Sequence, residues 1–90
     1  DARVTAAIAE WSACMAERGY SYATPEDPAA ELGDRFSQLT ESGASGPALT
    51  DMQADEKATA LDDRECTVEA ELEEALEAAY LDAAEQVAGR

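Results

Sequence analysis

Not one histidine occurs among the 90 residues of this chain, and only six residues are basic against 21 acidic ones. Without imidazole, a serine or cysteine nucleophile lacks its usual base and a zinc ion lacks its usual nitrogen ligand. The shortage of Lys and Arg leaves a formal net charge of −15, which sets the chain against nucleic acid and anionic lipid surfaces. Cysteine is confined to Cys14 and Cys66, 52 positions apart, so neither a C-x-x-C redox motif nor a cysteine-rich metal site can be built. Long apolar runs are missing, so no stretch of the sequence is suited to span a membrane, and no signal peptide is recognisable within it. The chain opens at Asp1 within an already periodic apolar pattern, as expected of a processed or excised form.

Bulky side chains are also few. The hydrophobic share is 46%, yet 21 of those residues are Ala and only 18 are larger than Ala or Cys. Alanine favours helix but buries little area, so the composition specifies helices more firmly than it specifies a deep core. A chain this small with so thin a core needs a staple, and its lone cysteine pair reads as one disulfide joining two helices.

Val4, Ile8, Trp11 and Met15 recur at helical spacing with alanines between them, which predicts a first helix over about 3–18 ended by Gly19. Thr24 followed by Pro25, Glu26 and Asp27 predicts a short middle helix over about 26–39, burying Leu32, Phe36 and Leu39. Residues 40–48 read as a mobile Gly/Ser loop. Thr50-Asp51-Met52-Gln53 has the form of a capping box, and no Gly or Pro follows until Gly89. One helix over about 50–88 is therefore predicted, with a break near Asp62–Cys66 left open by its weaker helix formers. Its apolar stripe would be Leu61, Val68, Leu72, Ala75, Leu76, Ala79, Ala83 and Val87, with Cys66 on the flank.

A Cys14–Cys66 bridge sets the register. Antiparallel pairing puts Trp11 opposite Glu69, Ile8 opposite Leu72 and Val4 opposite Leu76, whereas parallel pairing would strand everything after about residue 70. Tyr80, Leu81, Ala83 and Val87 then run past the start of the first helix, which points to a first helix that begins upstream of Asp1, to a homo-oligomer through the end of the long helix, or to a solvated tail.

Candidate chemistry is sparse. Glu69, Glu73 and Glu77 stand at i, i+4 and i+8, but carboxylates along one straight helix cannot wrap a cation, and a solvated face is the expectation; no metal or cofactor is assigned. No catalytic residue is assigned either. Trp11, Tyr20 and Tyr22 form a candidate aromatic cluster, serving as core or as a partner surface, with Tyr80 a further candidate contact.

The block Trp11-Ser-Ala-Cys14-Met15-Ala-Glu-Arg-Gly19-Tyr20-Ser-Tyr22, with Asp62-Asp63-Arg64-Glu65-Cys66 downstream, resembles a W-x-x-C-M-x-x-x-G-Y-x-Y and acidic-x-x-C pattern of secreted and lipid-anchored actinobacterial proteins. The resemblance implies export, membrane tethering only through an upstream lipidated cysteine, and a Cys14–Cys66 bridge; it carries no catalytic residue. The expectation is an all-α, disulfide-linked antiparallel helical hairpin with a short middle helix, forming one domain. Its expected role is a non-enzymatic cell-envelope interaction or structural module at the cell surface, with an envelope protein or a cationic ligand as partner. The alternatives are an acidic ligand- or cation-binding protein, and a thiol-redox sensor using the cysteine pair.

Overall fold

Asp1 starts the first helix, its carboxylate accepting the backbone N–H of Arg3 at 2.8 Å. In a computed structural model describing residues 1–44 and 46–88, this helix, α1 (Ala2–Glu17), is followed by α2 (Asp27–Glu41), α3 (Pro47–Glu69) and α4 (Leu72–Ala88). No strand occurs among the described residues. The chain is an all-helical, disulfide-linked hairpin: α1 packs antiparallel against α3 and α4, and α2 folds back along α3.

Gly19 ends α1 as expected. At φ 95° it lets its own N–H reach Ala16 O and the N–H of Tyr20 reach Met15 O, both at 3.1 Å. Gly43 does the same for α2 at φ 73°, so that helix runs to Glu41 and the expected 40–48 loop shrinks to a short turn. Of that expected loop, Ser45 lies outside the described residues.

The prolines decide both helix starts, and each corrects an expectation. A helix beginning at Pro25 would place Pro28 where a backbone N–H must donate, so α2 begins at Asp27 with Pro28 inside its first turn. Thr24 is not the cap; instead Asp27 accepts the N–H groups of Ala23 and Thr24 and the Thr24 hydroxyl, at 2.8–2.9 Å. Likewise α3 starts at Pro47 after Gly46, whose φ is 63°, and Thr50 sits inside the helix, donating its N–H to Gly46 O at 3.0 Å.

The expected single long helix is two. It breaks at Ala70–Glu71, downstream of the 62–66 stretch, and Glu71 takes φ 53°. Ala70 and Leu72 are both buried, but on a continuous helix they would lie about 200° apart. Only a break lets both face α1. The expected Glu69–Glu73–Glu77 row is thereby divided between two helices. Because a left-handed glutamate costs roughly 1 kcal/mol, Glu71→Gly should raise the melting temperature by several degrees in a thermal scan. A lowered melting point would show that the Glu71 side chain contributes more than its backbone costs.

The core is thin. Ala7, Trp11, Met15, Tyr22, Cys66, Ala70 and Leu72 form one buried cluster, with Ile8, Cys14, Tyr20 and Ala75 against it. Met52, Thr59 and Cys66 are the buried residues of α3, seven apart, so the expected stripe has the wrong phase within α3, where Leu61 is 63% and Val68 68% exposed; its Leu72 and Ala75, on α4, do reach the core. Phe36, expected in the core, is 55% exposed, whereas Leu32 and Leu39 are half-buried. The molecule measures 56 × 28 × 16 Å and has a radius of gyration of 17.0 Å, against about 12 Å for a compact chain of this length. Its accessible surface is 6339 Å², against about 5,000 Å² expected for 9.5 kDa.

Candidate functional site

Two places concentrate the side chains singled out by the sequence: the knot around the disulfide and a cleft between α2 and α3. At the knot, Cys14 and Cys66 are bonded, with Cα atoms 5.6 Å apart. Trp11 and Asp63 each lie one helical turn before their own cysteine. The indole Nε1–H of Trp11 donates to Asp63 Oδ1 at 2.8 Å, and the Thr67 hydroxyl adds a second, longer bond to the same oxygen at 3.3 Å. The neighbouring Asp62 accepts the Tyr20 hydroxyl at 2.8 Å and Arg18 Nη1 at 2.9 Å, while Arg18 also pairs with Glu65. Arg3 at the other end of α1 pairs with Asp82 of α4, which fixes the antiparallel sense.

Trp11, Tyr22 and Tyr20 stack in series, with ring centres 6.4 and 5.3 Å apart. Trp11 is wholly buried, Tyr22 nearly so and Tyr20 partly. As candidate contacts, Trp11 and Tyr22 are corrected to core; the partly exposed edge of Tyr20 remains at the surface. Trp11 was also expected to face Glu69 but reaches Asp63, because the long indole seeks an acceptor for its buried N–H. Tyr80 is 74% exposed, and Leu76, Leu81 and Val87 are exposed with it on α4.

Charge is pinned at the knot. Asp62 is held below the usual carboxylate value of 3.8 by the Tyr20 hydroxyl first and Arg18 second. Arg18 is held further towards its charged form by Glu65 and Asp62. For Tyr20 a Thr59 contact pulls the phenol down, but burial and the anionic Asp62 outweigh it and leave it raised. Tyr22 is raised by burial and then by Glu31. Asp27 is depressed by the Thr24 N–H, the Thr24 hydroxyl and the Ala23 N–H. A carboxylate with a depressed folded value stabilises the fold above its unfolded pKa, and that contribution is lost as pH falls through the folded value. Urea midpoints of wild type and Asp62→Asn should therefore differ by a constant amount above about pH 4 and converge below it. A gap that persists in strong acid would assign the effect to packing.

Cys14, Cys66 and Glu69 present sulfur and oxygen atoms within 4.8 Å of one another, a spacing suited to a metal. The donor set does not fit one: both sulfurs are spent in the bridge and neither is a thiolate. For the same reason the 3.0 Å approach of Glu69 Oε2 to the Cys14 sulfur is a contact without a donated proton.

The second place was missed from the sequence. A cleft of about 510 Å³ runs between α2 and α3, with Leu32, Gly33 and Phe36 on one wall and Met52, Glu56 and Asp63 on the other. Gly33 is the only glycine within a helix among the described residues, where glycine costs about 1 kcal/mol relative to alanine. A Cβ there would meet no atom within 4 Å. A glycine inside the apolar-periodic middle helix was the available signal.

Known proteins offer no match to this chain, whether as family models, curated sequences or solved structures. No helix among the described residues is long and apolar enough to cross a membrane.

Proposed function

We propose that this chain is a non-enzymatic, exported module of the cell envelope that works by binding another protein. The observation that carries the reading is the Cys14–Cys66 bridge set into the core: Cys66 is wholly buried beside Trp11 and Met15. Disulfides of this kind persist in oxidising compartments, and a thin-cored domain depends on them. The burial of Cys66 favours a structural bond over a labile sensor, since exchange requires a thiolate to reach a sulfur. The likeness of the Trp11–Tyr22 block to exported actinobacterial proteins agrees with export. Against catalysis stands the absence of histidine, the commonest general acid–base side chain.

The test is fractionation of source cells under thiol-trapping conditions, followed by intact mass and crosslinking on whole cells. Recovery at the surface, about two daltons lighter than the reduced form and crosslinked to another envelope protein, supports the reading. Recovery in the cytoplasm with free thiols overturns it.

A further inference from the structure

We propose that the cleft between α2 and α3 is the docking site for a basic amphipathic helix of a partner protein, which completes a three-helix layer there. The inference rests on the reading of this chain as an interaction module. Three observations carry it. The cleft lies between two antiparallel helices, Arg35 of α2 pairing with Asp55 of α3, and so has the shape into which a third helix packs. Its floor is apolar, with Leu32 and Met52, and Phe36 stands 55% exposed at its mouth.

Gly33 is the second observation. No φ above zero and no close neighbour calls for glycine at this position, so within the chain it only weakens α2. A side chain there would project into the cleft; its absence keeps the floor open for an occupant.

Charge is the third. Glu56 and Asp63 lie seven residues apart on one face of α3 and flank the apolar floor. Asp63 uses Oδ1 for Trp11 and Thr67, leaving Oδ2 without a partner among the described residues. On a chain of net charge −15, this rim selects lysine or arginine beside the apolar face of the incoming helix and repels acidic helices, including those of a second copy.

The experiment uses a labelled synthetic helix of about 14 residues with leucines on one face and lysines elsewhere, titrated with the whole chain in ~0.15 M salt. Saturable one-to-one binding is expected, weakened at least about tenfold by Gly33→Leu and by Phe36→Ala, and absent for the glutamate version of the peptide. Gly33→Leu places a better helix former in α2, so the variant folds, and circular dichroism verifies it. Equal binding by wild type and Gly33→Leu would reduce the interaction to diffuse charge and overturn the proposal. A dimer in sedimentation that Gly33→Leu abolishes would overturn it in favour of a second copy. A wild type that ignores the peptide, yet crosslinks to an envelope protein on cells, overturns the cleft while leaving the interaction-module reading in place.

Discussion

Reduction of the Cys14–Cys66 bridge is expected to remove about 4 kcal/mol of stability, the loop-closure value for residues separated by 52 positions. A domain of this size holds only about 5–15 kcal/mol in total, and the extended shape argues for the lower end. The bridge ties α1 to α3, and α1 supplies Ala7, Trp11 and Met15 to the single buried cluster. Releasing it therefore frees the element that organises the core. Thermal unfolding of oxidised protein, reduced protein and the Cys14→Ser/Cys66→Ser variant should show the reduced and substituted forms melting at least about 15 °C lower. Coincident melting curves would remove the structural role from the bridge and return the redox alternative to the front.

Trp11→Ala is expected to cost about 3–5 kcal/mol, the range for truncating a large buried aromatic. Trp11 is wholly buried, stacks on Tyr22 and is the hydrogen-bond donor to Asp63. Its removal opens a cavity in a core with little else to collapse into it, and leaves a part-buried carboxylate short of a partner. Trp11→Phe goes part-way to separating the two contributions: it keeps a six-membered aromatic ring in the core and loses the five-membered ring with its N–H, for an expected cost of about 1–2 kcal/mol from the lost hydrogen bond plus a smaller cavity term. Leu61→Ala is the informative control. Leucine at that position looks like core by sequence, yet the side chain is exposed and its loss should stay within about 0.5 kcal/mol. Denaturant midpoints of the three variants check the order. A Leu61→Ala cost equal to that of Trp11→Ala would mean that α3 packs with the opposite face. Because Trp11 and Cys66 share one cluster, the cost of Trp11→Ala should also change once the bridge is gone.

The Trp11–Asp63 bond gives a physical sense to the paired W-x-x-C and D-x-x-C strings. Each cysteine carries, one turn before it, a group that bonds to its counterpart on the other helix. Sequence reading singled out both strings and both cysteines, yet assigned Trp11 to the wrong facing residue. Helical register treats side chains as points on a cylinder, whereas an indole is long enough to reach past its nearest neighbour to the acceptor its N–H requires. The cleft went unread for a related reason. Leu32 and Phe36 read as core because they are apolar and correctly spaced, and spacing does not say whether an opposing wall closes on them.

What the sequence by itself determined is local or covalent: the helical class, α1 and its stop at Gly19, the lone cysteine pair, and the acidic surface. Each follows from alanine content, a residue that tolerates positive φ, or simple counting. Tertiary structure alone decided the face of α3 and the break at Glu71. Apolar residues spread almost evenly around the axis of α3, so no phase is favoured locally. The bridge at Cys66 and the acceptors Asp62 and Asp63 select the face holding Met52 and Thr59, and turn Leu61 and Val68 outward. At Glu71 local preference is for helix throughout, and no glycine marks the stop. Burying Ala70 and Leu72 together against α1 outweighs the strain of one left-handed glutamate, a balance that exists only once α1 is in place.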